Sequence, residues 1–304
     1  MKPKDVASYI FLAVVWGFSF LVLLRVVQAF GWIGAVTLRA FVAAGTLFIA
    51  ARLTRRKLDF AAGWFPLAVV GATTVAGQLI GLSFATPLIG TAMAAILVAT
   101  IPLFATAIGR LWGIERVTPA RLMGLLLGLA GIVMLVGFPA VTPGKDFALG
   151  CGAALFACLS AAFGTNYASA RLRGVGAWET TIGSFLAGGI MTLPLLVLVP
   201  VPAWPRLQDY AYLLVLGGIM SATTYAIYFR LVATIGPATA ISVEFAVTAV
   251  AVVVGAFWLR EPLSLTQIGG GVLIVCGCAL VLGLIPGGRG PGQPHPPAVA
   301  GSGA

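Results

Sequence analysis

Residues 101–118 read IPLFATAIGRLWGIERVT, and residues 247–264 read VTAVAVVVGAFWLREPLS. Each segment places a tryptophan three residues before a glutamate, and the two sets are 146 residues apart. These pairs are Trp112 and Trp258, and Glu115 and Glu261. The chain has 7 tryptophans and 8 acidic residues among 304, so the shared spacing is hard to attribute to chance. It indicates that one unit occurs twice.

The same spacing of 146 residues extends outward over both halves of the chain. Further identical pairs are Trp32 and Trp178, Thr46 and Thr192, Leu47 and Leu193, Gly71 and Gly217, Ala76 and Ala222, Gly90 and Gly236, Ala92 and Ala238, Gly109 and Gly255, Gly124 and Gly270, Gly131 and Gly277, and Gly137 and Gly283. We therefore divide the chain into a first repeat, residues 1–140, and a second repeat, residues 141–286. Residues 287–304 are rich in proline and glycine, and we expect a disordered tail.

The composition is that of a protein whose solvent is lipid. Hydrophobic residues make up 60% of the chain and charged residues 9%, far from the balance of a soluble domain. A membrane-spanning helix needs roughly 20 apolar residues. Such stretches lie near 6–27, 32–51, 64–84, 89–112, 121–138, 148–170, 178–199, 208–229, 237–258 and 265–285. The sequence thus predicts an all-α integral membrane protein with ten transmembrane helices.

Five spans in each repeat is an odd number, so the second repeat must enter the membrane from the opposite side. Two inverted five-helix repeats place a central cavity between them and allow closure at either face, which is the architecture of alternating access. Glycines on the fifth and tenth spans, such as Gly131 and Gly277, are expected to serve close helix packing rather than binding.

Lysine and arginine residues are concentrated on one side of the predicted topology. That side holds Lys2, Lys4, Arg52, Arg55, Arg56, Lys57, Arg110, Arg116, Arg121, Arg171, Arg173, Arg230 and Arg289, whereas the other holds Arg25, Lys145, Arg206 and Arg260. By the positive-inside rule, both termini face the cytoplasm of a multi-pass protein in the bacterial inner membrane. The net charge of +10 is therefore a topology signal, and we expect no nucleic-acid partner.

Enzyme chemistry has no supporting set of residues inside the predicted spans. They contain no histidine, and no aspartate away from the span ends, so neither a metalloprotease pair nor an aspartyl dyad can form. The cysteines lie in apolar runs, and we expect neither a metal site nor a cofactor; they are Cys151, Cys158, Cys276 and Cys278. The chain also lacks an ATP-binding loop, so transport would be passive or secondary.

Arg39, Gln78 and Glu244 are polar residues deep inside predicted spans. A rise of 1.5 Å per residue places Arg39 roughly 10 Å from the outer face, with Gln78 at nearly the same level. Arg39 could anchor a carboxylate or phosphate, or it could snorkel outward from a helix that begins later. Glu244 matches Val98 in the repeat register, and it could bind an amino group, carry a proton or be a structural carboxyl. Direct pairing of Arg39 with Glu244 is not expected, because their depths differ by about 10 Å.

Aromatic residues share faces of two predicted spans. Phe163 and Asn166 lie on one face of the sixth span, and Tyr225 and Tyr228 lie on one face of the eighth. Such faces can stack on an apolar or aromatic substrate while hydroxyls and amides orient it. Tyr228 could instead belong to an interfacial belt. Trp16 lies near mid-membrane, where a belt role does not apply, so it either walls a cavity or packs between helices.

Several of these segments resemble a known family. Residues 102–106, 112–118 and 258–264 resemble the fourth and fifth helices of the drug/metabolite transporter superfamily, and Trp16-Gly17 resembles its first helix. The similarity covers both repeats and is closest to the ten-span EamA-type branch. Bacterial aromatic amino-acid exporters are the most similar members in length and layout. Glu115 and Glu261 lie at loop ends beside basic residues, where helix-end capping or ion pairing explains them, and we do not expect them to bind substrate.

The two repeats differ at one position of this pattern. Pro102 is the best candidate for a functional kink, but Thr248 takes its place in the second repeat. A kink in the ninth helix therefore has no proline to cause it. The candidate substrate-binding residues are Trp16, Arg39, Gln78, Phe163, Asn166, Tyr225, Tyr228, Glu244 and Thr248.

The resemblance implies an exporter of small metabolites, above all amino acids including aromatic or apolar ones, that works by alternating access. Other small amphipathic compounds or drugs are an alternative substrate class. A channel-like pore or a non-catalytic membrane protein is an alternative of another kind. The expected partners are a small-molecule substrate and the lipid bilayer, and the sequence is compatible with a monomer.

Overall fold

The computed structural model describes residues 3–61, 63–112, 119–137, 144–202, 204–235, 237–260 and 263–281, and the regular secondary structure within these ranges is helical. The first helical element covers Pro3–Leu53. Inside it, Gly31 adopts φ 71 and ψ 166, a non-helical conformation that glycine tolerates because it has no Cβ. Gly31 therefore divides the element into α1 (residues 3–30) and α2 (residues 32–53).

The remaining helices lie over the apolar stretches of the sequence. They are α3 (Trp64–Ile89), α4 (Thr91–Leu111), α5 (Pro119–Gly137), α6 (Lys145–Arg171), α7 (Ala177–Leu198), α8 (Leu207–Ile235), α9 (Val243–Trp258) and α10 (Leu265–Val281). A short helix, Pro237–Ile241, precedes α9. In the described part of the chain, six helices are long and apolar enough to cross a membrane when Pro3–Leu53 counts as one, and α9, α10 and residues 122–131 of α5 are shorter apolar helices.

Large apolar side chains cover much of the outer surface of these helices. Phe65 on α3, Val197 on α7 and Phe257 on α9 are among those that are mostly exposed. A soluble protein rarely exposes apolar surface on this scale, so the surface is suited to lipid. The predicted membrane environment agrees with this distribution.

Glycines hold α5 and α10 in close contact. A Cβ atom on Gly131 would lie 2.6 Å from the carbonyl oxygen of Gly270, and one on Gly277 would lie 2.5 Å from the carbonyl oxygen of Gly124. Gly131 and Gly277 are 146 residues apart, as are Gly124 and Gly270, so the two contacts are reciprocal. The backbones approach too closely for a side chain at either position, which confirms the predicted packing role of these glycines.

Two π-helical stretches occur at matching positions of the two halves. One covers Gly71–Gly77 within α3, and the other covers Val215–Thr223 within α8. Gly71 packs against the backbone of Ser184 and Gly217 packs against Val42, so each stretch abuts a neighbouring helix through a glycine. The wider π-helical turn changes the direction in which the residues after it point.

The sequence offers no proline to kink the ninth helix, but the structure interrupts that span. The helix α4 is interrupted at Ala99 and Thr100, directly before the turn that Pro102 begins. The ninth span is also interrupted, at Ser242 between the short helix and α9, six residues before Thr248. An interruption there needs no proline at the position of Pro102. The predicted caps Glu115 and Glu261 and the tail 287–304 lie outside the described residues.

Candidate functional site

A small cavity lies between α1, α2, α3, α4, α8 and α9. Its lining combines two charged groups with aromatic and aliphatic side chains, which is the usual composition of a small-molecule site. The lining residues are Trp16, Ser19, Phe20, Leu23, Arg39, Gln78, Leu79, Leu82, Val98, Tyr225, Glu244 and Val247.

Arg39 lies on α2 and is only 5% exposed. Its Nε donates a hydrogen bond of 2.6 Å to the Ser221 hydroxyl, which in turn donates to the carbonyl oxygen of Leu216 at 2.6 Å. Ser221 belongs to the π-helical stretch of α8, so that stretch supplies the group that orients the guanidinium. Within the described residues the terminal nitrogens of Arg39 have no hydrogen-bond partner, and they remain available to a ligand of the cavity.

Glu244 lies in the first turn of α9 and is 7% exposed. Among the residues that the structure describes, its carboxyl group has neither a hydrogen bond nor an ion pair, although it lines the cavity. Arg39 is bonded to Ser221 and not to Glu244, in keeping with the expectation that the two charges do not pair. The cavity therefore offers a cationic and an anionic group at separate places.

Aromatic rings form one wall of the cavity. The indole Nε1 of Trp16 donates a hydrogen bond of 2.7 Å to the Thr224 hydroxyl, which fixes the ring orientation. The ring centroid of Trp16 is 5.4 Å from those of Tyr225 and Tyr228, and the Tyr225 ring meets Phe185 edge-on at 4.9 Å. Trp16 and Tyr225 line the cavity and are held in place by the other rings, so they form a rigid surface on which a flat apolar group can stack.

Cavity residues also occupy equivalent positions of the two halves. Leu79 corresponds to Tyr225, and Val98 corresponds to Glu244, at the spacing of 146 residues. In each of these two pairs the first half contributes an aliphatic side chain and the second half contributes a functional group. Gln78, next to Leu79, directly follows the π-helical stretch of α3 and is half-buried at the cavity.

Five of the predicted residues thus share one cavity, whereas Phe163 and Asn166 on α6 lie outside its lining. Phe163 packs edge-on against Trp112, with ring centroids 5.3 Å apart. The Asn166 amide donates hydrogen bonds to the carbonyl oxygens of Ala105, at 3.1 Å, and of Ala162, at 3.0 Å. Both side chains join α6 to α4.

Tyr228 and Thr248 lie close to the cavity but not in its lining. The Tyr228 hydroxyl is 3.1 Å from the Thr165 hydroxyl, within hydrogen-bond distance, which joins α8 to α6. The Thr248 hydroxyl donates to the carbonyl oxygen of Ala95 at 2.9 Å and to that of Glu244 at 2.7 Å. The Tyr228 ring also packs against Trp16, and the Thr248 hydroxyl joins α9, which carries Glu244, to α4.

Some relevant residues carry no signal that the sequence analysis could use. Ser19 lines the cavity one turn after Trp16 and donates to the Trp16 carbonyl oxygen at 2.7 Å, so only its helical spacing from Trp16 could have indicated it. Ser221 resembles any other serine of an apolar helix. Glu179 in the first turn of α7 is 5% exposed, so it is a buried acid in addition to Glu244. Across the described ranges, no group of three or more His, Cys, Asp or Glu side chains could hold a metal ion.

Comparison with known proteins gives the family of this chain. The EamA-like transporter family matches residues 6–137 and again residues 148–283. The chain is 28% identical over 262 residues to the uncharacterized inner membrane transporter YedA of Escherichia coli (strain K12), covering 83% of this chain and 82% of YedA. It is 21% identical over 277 residues to the uncharacterized transporter YoaV of Bacillus subtilis (strain 168), covering 90% of this chain and 95% of YoaV.

A solved crystal structure shares the fold. It superimposes with a TM-score of 0.66 at 20% sequence identity, over 93% of this chain and 99% of the other. At this identity the likeness concerns the fold alone. The family match extends over both halves of the chain, and on that basis the chain belongs to the EamA-like transporter family.

Proposed function

We propose that this transporter exports small zwitterionic metabolites, above all amino acids with aromatic or apolar side chains, by alternating access. The observation that carries the proposal is the separation of Arg39 and Glu244 within one cavity beside an aromatic wall. An amino acid presents a carboxylate, an ammonium group and a side chain, and each has a complementary surface there.

The chemistry of the cavity favours this class of ligand. The planar guanidinium of Arg39 suits a carboxylate, because its terminal nitrogens can donate two parallel hydrogen bonds. Glu244 suits the ammonium group, since a ligand cation would compensate a carboxylate that has no protein partner in the described structure. The packed rings of Trp16 and Tyr225 offer a stacking surface to the substrate side chain.

The proposal includes ten spans arranged as two inverted repeats, residues 1–140 and 141–286. The family match to each half, the reciprocal glycine contacts of α5 and α10, and the matching π-helical stretches support it. We place the protein in the bacterial inner membrane, as in YedA, with both termini in the cytoplasm by the positive-inside rule.

Counterflow in liposomes tests the proposal. The purified protein is reconstituted into vesicles loaded with unlabelled phenylalanine, and the uptake of labelled phenylalanine is measured. We expect saturable uptake that excess unlabelled phenylalanine inhibits, while phenylalaninamide, which lacks the carboxylate, and phenyllactate, which lacks the ammonium group, inhibit weakly. Equal inhibition by all three compounds would favour a carrier of amphipathic compounds or drugs in general. Ion currents without counterflow would favour a pore.

A further inference from the structure

A second opening lies away from the central cavity, in a groove between α2, α7 and α8. Small and apolar side chains form most of its walls, and two arginines and a tryptophan stand at one end. The lining residues are Thr46, Leu47, Ala50, Arg56, Ala177, Trp178, Ala222, Thr223, Ala226, Ile227 and Arg230.

The groove opens toward the outside of the helix bundle. Thr46 on α2 and Thr223 on α8 are exposed, whereas Leu47 and Ala226 behind them are buried. The small side chains of Ala50, Ala222 and Ala226 leave a channel between the helices. Because the surrounding helix surfaces are apolar, this channel is accessible from the lipid.

Arg56 and Arg230 make the end of the groove basic. The Arg56 guanidinium lies over the Trp178 ring, 5.0 Å from its centroid, which occupies the flat face of the guanidinium and leaves its N–H edge free. Arg230 donates a hydrogen bond of 2.7 Å to the Ser8 hydroxyl and lies 3.8 Å from the Asp5 carboxylate. The Arg230 side chain is still 47% exposed, so it retains donors for a further group.

The groove residues can be compared with those at the equivalent positions of the other half of the chain. At the spacing of 146 residues, Trp178 corresponds to Trp32, whereas Arg230 corresponds to Phe84 and Arg56 corresponds to Pro202. At that second position the Trp32 and Phe84 rings meet edge-on at 5.3 Å. The tryptophan is common to both ends, but the two arginines occur at one end alone. Helix packing therefore does not require them, and their position calls for another explanation.

We infer that this groove binds an anionic phospholipid, with its phosphate between Arg56 and Arg230 and an acyl chain along Leu47, Ala226 and Ile227. The ligand must be amphipathic because the groove is apolar over most of its length and basic at one end. Guanidinium groups bind phosphate through paired N–H donors. Arg52 in the last turn of α2, with Arg55 and Lys57 directly after the helix, adds positive charge to the same end, which favours an acidic headgroup. That end is the cytoplasmic one in the proposed topology, although the binding itself does not depend on it.

Native mass spectrometry of the purified full chain tests the site. Phosphatidylglycerol and phosphatidylcholine with identical acyl chains are titrated separately against the wild type, Arg56→Gln/Arg230→Gln and Arg110→Gln. Arg110 is an exposed arginine at the end of α4 away from the groove, so its variant controls for lost charge. We expect the wild type and the control to bind one phosphatidylglycerol about twenty-five-fold more tightly than phosphatidylcholine, at about fivefold per arginine, and the double variant to lose that preference.

Folding is checked by the thermal midpoint of each variant in the same detergent. If the double variant is unfolded, Arg56→Gln alone carries the test, because Arg56 contacts the Trp178 ring rather than a hydrogen-bonded network, and a fivefold loss is expected. Unchanged preference in the folded variant would overturn the inference. So would equal binding of both lipids to the wild type, or displacement of phosphatidylglycerol by inorganic phosphate alone, since a free anion would then be the ligand.

Discussion

Glu244 and Val98 hold equivalent positions in the two halves and line the same cavity, yet one is a carboxylic acid and the other a hydrocarbon. Packing does not explain the difference, because the same helix position is occupied well by valine. An unpaired acid in an apolar surrounding destabilises a protein unless a ligand or proton compensates it. The asymmetry is therefore best explained by what the cavity binds.

Glu244→Gln should lower the affinity for phenylalanine, because the amide keeps the shape of the side chain but cannot attract an ammonium group. We expect counterflow and gradient-driven flux to fall together, with the apparent affinity lower by at least about tenfold. Both fluxes are measured in liposomes between pH 5 and pH 8. Glu179→Gln, a change at a buried acid outside the cavity lining, is the matched control.

Two other results would change the role of Glu244. If gradient-driven flux is lost while exchange persists, the carboxyl carries a proton and does not bind the substrate ammonium. If flux and affinity match the wild type over the whole pH range, the carboxyl is structural. Each result excludes the ammonium ligand.

Arg39→Lys should weaken phenylalanine transport, because a point charge replaces a planar fork and the bond to Ser221 loses its geometry. We expect at least about a tenfold drop in affinity for phenylalanine and little change for phenylalaninamide, which has no carboxylate. Competition in the counterflow assay measures both, with Arg110→Lys as the control. Unchanged transport in a correctly inserted Arg39→Ala protein would contradict the anchor role.

The charged residues of the cavity could be identified from the sequence because a charged side chain in an apolar segment is energetically costly and is usually retained for a function. Arg39 and Glu244 stand out for this reason. Asn166 and Thr248 are polar as well, but their hydrogen bonds go to backbone carbonyl oxygens of neighbouring helices. A sequence does not reveal whether a neutral polar group meets a helix backbone or a cavity, so it could not separate these two from Gln78.

At the level of the helices, the α5 and α10 contact allows a direct test. Gly277→Leu should lower the thermal midpoint and destabilise the protein by about 2 kcal/mol, because its side chain would meet the backbone of Gly124 and Gly128. Fluorescence-detected size-exclusion after heating in detergent measures the change. Gly152→Ala on α6, where a Cβ meets nothing within 4 Å, should leave the midpoint unchanged or raise it slightly. Equal midpoints for Gly277→Leu and the wild type would contradict close packing at this position.

The positions of the helices could be predicted from the lengths of the apolar stretches and from the charged or proline-rich segments that separate them. The details inside the helices could not be. Nothing in the residues of Gly71–Gly77 marks a π-helical stretch, although Gly71 within it packs against Ser184 of α7. The interruption at Ser242 likewise has no adjacent proline to indicate it. Such features depend on neighbouring helices, which a linear pattern does not contain.

For the whole molecule, the proposed topology predicts which loops an impermeant reagent reaches. In intact cells, a cysteine placed at Lys145 should be labelled and one placed at Arg55 should not, in a background where the native cysteines are replaced by serine or alanine. Permeabilised cells, in which both positions should react, provide the control. Labelling at Arg55 but not at Lys145 would mean that the orientation is the reverse of the proposed one. Labelling at both positions or at neither in intact cells would mean that an even number of spans separates them.

The contact between α5 and α10 also bears on how the protein is made. The partner of α5 is the last helix of the described chain, and it is synthesised about 140 residues later. At ribosomal rates of roughly 5 to 20 residues per second, α5 waits on the order of 7 to 30 seconds before α10 emerges. During that interval the part of its glycine face that α10 later covers is exposed to lipid, so the first half of the chain becomes fully packed only after α10 has emerged.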